Sequence, residues 1–96
     1  MHEAIAETAE GLRLPLVLRV RGGLHARPAA KLAQEAQRFA ADIRIETENG
    51  QADAKSMLDV LSLALPQDTE LTLTASGPDA RAALEGLAAY LDSLRD

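Results

Sequence analysis

A histidine followed two residues later by an arginine, behind two glycines and ahead of a proline, is the combination in this chain best suited to chemistry. The stretch reads Gly22-Gly23-Leu24-His25-Ala26-Arg27-Pro28-Ala29-Ala30. An unprotonated ring nitrogen of histidine is a nucleophile, and histidine changes its charge near neutrality more readily than other side chains. Glycines let a phosphate or a partner's backbone come close. The residues after His25 read as the start of a helix, and a first helical turn leaves N–H groups unpaired and carries partial positive charge. That makes an anion site. Arg27 adds a planar set of donors suited to phosphate oxygens. Pro28 fits the first turn, where its missing N–H costs nothing. His25 and Arg27 are therefore the candidate chemical pair, with Ala26 and Arg27 placed to bind the phosphate. The competing reading is a loop histidine without a task beside a solvated arginine.

The elements around this stretch follow from its periodicities. Leu14, Leu16, Leu18 and Val20 are apolar at every second position, the period of a strand. Pro15 points to an edge or a strand start, and Arg21-Gly22-Gly23 ends it. Ala29, Leu32, Ala33, Ala36 and Phe39 make one helical stripe over 26–39, with Lys31, Gln34, Glu35 and Arg38 opposite. Ile43, Ile45 and Thr47 alternate with Arg44 and Glu46. Asn49-Gly50 is a hairpin signal, with a return strand over 51–54. Ser56 opens a short helix that Pro66 stops. Leu71, Leu73 and Ala75 mark a strand over 70–75. Ala80, Ala83, Leu84, Leu87, Ala88, Leu91 and Leu94 mark a final helix over 79–94.

The order β-α-β-β-α-β-α, with one apolar face per element, predicts an α+β fold. It is a two-layer open-faced sandwich: a four-stranded, mainly antiparallel sheet with three helices on one face. Residues 1–12, rich in Ala and Glu, read as a frayed helix or a linker, and 13–96 as the domain.

Composition narrows the function. The 96 residues fit one domain. Ten basic and fifteen acidic residues give a formal net charge of -5, which argues against a general nucleic-acid binder or an anionic membrane surface. Fold-level kinship with RNA binders fails for want of sheet aromatics, because Phe39 and Tyr90 fall on predicted helices. There is no cysteine, so disulfides and thiolate metal sites are excluded. No His/Asp/Glu cluster has metal spacing, and no cofactor is called for. No apolar run approaches a membrane span and the start is no signal peptide, so cytoplasm is expected. His2 reads as a solvated residue or a tag remnant.

Gly23-Leu24-His25-Ala26-Arg27-Pro28-Ala29 resembles the active-site signature of the histidine-containing phosphocarrier (HPr) family of the sugar phosphotransferase system. Ala54-Lys55-Ser56-Met57-Leu58-Asp59-Val60-Leu61-Ser62-Leu63 resembles that family's second signature, in register with the first. The resemblance covers about residues 14–94 and the family's element order is the one read above.

The resemblance implies a carrier rather than an enzyme, phosphorylated on His25 through Nδ1, with Arg27 steadying the phosphoryl group. The donor would be phosphorylated enzyme I, charged from phosphoenolpyruvate, and the acceptor a sugar-specific IIA domain. Ser56 corresponds to the family's regulatory serine, modified by a dedicated kinase in some lineages. It is equally a good N-cap, with Asp59 giving a weak capping box. Met57, Leu58 and Leu61, with Leu24 and Ala30, fall on the implied docking face of a monomer. Three features depart from the family pattern. Gly22 stands where many members carry Asn, Ser or Asp, and Asp59 where Lys or Gly is common. The N-terminal extension points to one domain of a longer multiphosphoryl transfer protein or to a variant carrier. The alternative function is a non-catalytic regulatory or small-ligand-binding domain.

Overall fold

The computed structural model describes residues 5–94; His2 lies outside them. The chain forms β1 (Ala6–Thr8), β2 (Gly11–Val17), α1 (Ala26–Ala36), β3 (Asp42–Thr47), β4 (Gly50–Asp53), α2 (Met57–Ser62), β5 (Glu70–Ser76) and α3 (Ala80–Ser93). The strands lie in the order β1-β2-β5-β3-β4, and each neighbouring pair is antiparallel. This is the expected α+β sandwich, with five strands where four were expected.

The additional strand comes from the segment read as a frayed helix or linker. Ala6, Glu7 and Thr8 pair with Arg13, Leu12 and Gly11. The turn is closed by Thr8 Oγ1, which donates to the Gly11 carbonyl at 3.1 Å and accepts the Glu10 N–H at 3.2 Å. All three β1 residues are exposed, so no apolar alternation betrays the strand. The second hairpin is built alike: Thr47 faces Gly50, and Thr47 Oγ1 accepts the Asn49 N–H at 3.0 Å. Its turn residues are Glu48-Asn49 rather than Asn49-Gly50. The positive φ, +129°, falls on Gly50 alone.

Alternation decides which sheet face is covered. Leu14, Ile43, Ile45, Leu71 and Leu73 turn inward and are at most 4% exposed. They meet Leu32 and Ala29 of α1, Leu84 and Leu87 of α3, and Val60 of α2 in one cluster. Each Leu or Ile withdrawn from water contributes roughly 1.5–3 kcal/mol before entropy is charged against it. No polar side chain is buried among the described residues, so nothing in this core needs an internal partner. The opposite sheet face has no helix on it.

Three expected elements end early, and α2 is one: the helix expected to run to about Leu65 stops at Ser62. β2 stops at Val17, yet Leu18 and Val20 stay buried. Leu18 leaves the ladder to bond the loop before β5: its N–H donates to Thr69 and its carbonyl accepts from Asp68. α1 ends at Ala36, which puts Phe39 after the helix, packed against the core and close to Gly86.

Candidate functional site

The site begins with a loop held from behind. Gly23 donates its N–H to the Val20 carbonyl at 3.0 Å, and Leu24 donates to Leu65 at 2.8 Å. Gly22 and Gly23 both have positive φ, +78° and +79°, a region that costs an ordinary residue about 1–2 kcal/mol. Their surroundings differ. A Cβ on Gly23 would stand 2.5 Å from the Leu65 carbonyl oxygen and 2.8 Å from Pro66 Cα, whereas one on Gly22 would meet nothing within 4 Å. Gly23 is therefore required by close contact, whereas the departure at Gly22 faces open space.

His25 follows at the N-cap of α1, with extended backbone at φ -90° and ψ -167°. Its carbonyl accepts the Ala29 N–H at 3.0 Å, the first bond of the helix. Its imidazole makes no capping bond and is exposed. N-caps are usually Ser, Thr, Asn or Asp because their side chains satisfy the first N–H groups. Here that duty is left undone. Pro28, third in the helix, has no N–H to satisfy. The N–H groups of Ala26 and Arg27 remain, at the positive end of an eleven-residue helix. Arg27 is exposed, and its guanidinium has no partner among the described residues. The structure thus brings together three of the predicted features: an exposed imidazole, two unengaged N–H groups and an unpaired guanidinium.

Support for this helix comes at both of its ends. Tyr90 on α3 donates its hydroxyl to the Pro28 carbonyl at 3.5 Å. Burial pushes the Tyr90 phenol up, and the nearby negative charge of Glu35 adds to the effect. At the far end, Gln37 Nε2 donates to the Lys55 carbonyl at 2.9 Å, and Lys55 Nζ donates to the Phe39 carbonyl at 2.8 Å. These two bonds tie the end of α1 to the residues just before Ser56.

Ser56 is the N-cap of α2, and its Oγ accepts the Asp59 N–H at 3.2 Å. The reciprocal half of a capping box is missing. Asp59 Oδ2 instead accepts the Asp53 N–H at 2.7 Å, so Asp59 fastens the end of β4 to α2. Of the expected docking residues, Leu58 is 73% exposed and stands alone as an exposed large hydrophobic among those described. Met57 and Leu61 are half-buried against the core, and Ala30 is half-buried on α1. Leu24 does not belong to an open face: it is 6% exposed and sits in the core beneath the loop.

Sequence reasoning missed Asp79. It stands at the N-cap of α3, but its carboxylate makes no capping bond there. It accepts the N–H groups of Ala40 and Ala41 at 2.9 and 2.8 Å. The Ala40 bond, foremost, holds the Asp79 carboxyl below its ordinary range. A Gly-Pro-Asp before a helix signals a turn; the partner nearly forty residues back leaves no local trace.

Among the described residues no group of His, Asp and Glu could hold a metal ion, and no helix is long and apolar enough to cross a membrane. The family model described as PTS HPr component phosphorylation site matches residues 14–93. The chain is 47% identical over 74 residues to the HPr-like protein Crh of Bacillus subtilis, spanning 77% of this chain and 87% of that one. It is 43% identical over 72 residues to the phosphocarrier protein HPr of Vibrio cholerae, spanning 75% and 85%. Its fold superposes on HPr-C-His from Thermoanaerobacter tengcongensis with a TM-score of 0.82 at 33% identity, over 85% of this chain and 92% of that one. The chain belongs to the HPr family of the phosphotransferase system, a family of phosphocarriers and HPr-like proteins rather than catalytic enzymes.

Proposed function

We propose that this chain carries a phosphoryl group on His25, receiving it from phosphorylated enzyme I and passing it to a sugar-specific IIA domain. The carrying observation is the exposed His25 at the head of α1, with the unengaged N–H groups of Ala26 and Arg27 behind it. In the first half-reaction, Nδ1 of His25 attacks the phosphorus of the donor's phosphohistidine. The new N–P bond forms as the donor's breaks, and the donor nitrogen keeps the electron pair. The second half-reaction reverses the roles with the acceptor. The helix start and the Arg27 guanidinium offset the negative charge on the transferred oxygens. In-line placement, the larger need in phosphoryl transfer, falls to the partner that docks on Leu58 and its half-buried neighbours Met57, Leu61 and Ala30. The exchange takes place in the cytoplasm, between proteins, on a monomer.

Ser56 extends the reading. A phosphate there is compatible with the cap, since its oxygens can accept the Asp59 N–H, and it adds negative charge beside the Asp59 carboxylate at the head of the docking helix. A binding domain for which His25 is incidental does not account for a histidine that leaves its helix uncapped. The test is reconstitution of labelled phosphoenolpyruvate, enzyme I, this chain and a IIA domain. Label should reach IIA only when the chain is present and carries His25. Failure to relay, with enzyme I and IIA shown active through another carrier, would sink the reading.

A further inference from the structure

We propose that the helix-free face of the sheet is a second docking surface, fitted to a cationic partner segment that sets an aliphatic side chain between lysines or arginines. This inference does not depend on phosphotransfer at His25, which lies with the helices.

A concavity of about 900 Å³ opens on that face between the end of β2, the turn after β3 and the loop before β5. Its apolar lining includes Pro15, Ala64 and Pro66, open to solvent, with Leu16 and Val17 half-buried beside them. Around these stand Glu46, Glu48, Asp68 and Glu70, and no lysine or arginine lines it. Asp68 is paired with Arg19 at 3.1 Å. The carboxylates of the three glutamates have no hydrogen bond or ion pair among the described residues. Cations of the same sheet face are set apart. Arg13 and Arg44 lie in register on either side of Thr74, in a smaller hollow of about 280 Å³ that Glu10, Asp42 and Glu46 also line. Arg44 already lies 3.7 Å from Asp42. The arginines that line these hollows are thus confined to the smaller one, and the charged side chains that line the larger, partly apolar one are all acidic. Complementary charge steers such an encounter and selects its partner, while an aliphatic anchor covers surface that water now meets.

The same loop serves both sides of the molecule. Leu65 offers its carbonyl to Leu24, next to His25, while Ala64, Pro66 and Asp68 line the hollow. Ala64 and Asp68 hold left-handed φ, +52° and +69°. A segment seated in the hollow therefore touches the loop that supports the histidine.

The test is a titration of isotope-labelled chain with a short synthetic peptide alternating lysine and leucine, followed by amide chemical shifts at low salt, where screening is weak. A peptide alternating glutamate and leucine is the control. The expected result is saturable shifts confined to residues 15–17, 46–49 and 64–72, with a smaller shift at Leu24 and none with the control. The triple variant Glu46→Gln, Glu48→Gln, Glu70→Gln, its fold checked by its own spectrum, should bind about tenfold more weakly. Shifts spread over all surface carboxylates, shifts centred on Leu58 and His25, no saturable binding, or unchanged affinity in the variant would each overturn the proposal.

Discussion

Gly22 and Gly23 look alike in the sequence and in φ, but they differ in what lies beyond the missing side chain. Gly23→Ala forces a methyl group against the Leu65 carbonyl and Pro66, where backbone cannot yield cheaply. The expected loss is roughly 2–5 kcal/mol, strain and overpacking together. Gly22→Ala meets open space and should cost about 1–2 kcal/mol, from φ alone. Urea unfolding of both variants reads the difference directly; equal losses would show that contact with the 64–69 loop is not what Gly23 serves. Arg27 makes a different prediction. Its guanidinium supports no other element, so Arg27→Ala should leave the unfolding midpoint nearly unchanged. Phosphoryl transfer should slow roughly ten- to a hundredfold, the worth of one charge-assisted hydrogen bond. The placement of His25 and Arg27 at the exposed head of α1 was legible because the glycines, the histidine and the proline mark a helix start within a few residues. The burial of Leu24 was not, since it depends on a loop forty residues away.

Among the elements, α2 shows how a short helix is fixed by its cap. Ser56 Oγ satisfies the Asp59 N–H, and a six-residue helix has little cooperativity of its own. Ser56→Ala should therefore cost about 1 kcal/mol, read as a lowered denaturation midpoint, and a change within error would remove the cap from the account. Helices and inner strands could be read in advance because their apolar residues repeat at 3.6 or 2. β1 could not, because every one of its residues faces solvent. A trace of it was nevertheless present. Thr8-Ala9-Glu10-Gly11 repeats the Thr-x-x-Gly spacing of Thr47-Glu48-Asn49-Gly50, and the two hairpins share the same threonine-to-backbone bonds. The pattern carries the hairpin even where hydrophobic alternation is silent.

The molecule as a whole is held by an apolar core with few polar clamps, and Asp79 is one of those that link distant segments. Its carboxyl is held below the ordinary range, chiefly by the Ala40 N–H. The unfolded chain therefore binds a proton at higher pH than the folded one, and stability rises with pH across that interval. The contribution is complete above the ordinary carboxylate value of about 4 and is lost as pH falls through the folded value. Asp79→Asn should flatten the acid limb of stability measured by denaturant unfolding from neutral to acid pH. An unchanged acid limb would assign the loss to other carboxylates. The overall α+β sandwich was legible because the order of periods leaves few ways to bury each face. The Asp79 clamp was not, because contacts between distant segments are decided by the assembled fold.

The reading of His25 as the phosphoryl acceptor is settled by labelling. Labelled phosphoenolpyruvate and enzyme I are mixed with this chain or with its His25→Ala variant, and acid-labile label on the protein is counted. The structure predicts label on the unaltered chain and none on the variant, which should fold equally well because the imidazole makes no capping bond. Equal label on both proteins, or none on the folded chain with an enzyme I active on another carrier, would contradict the account.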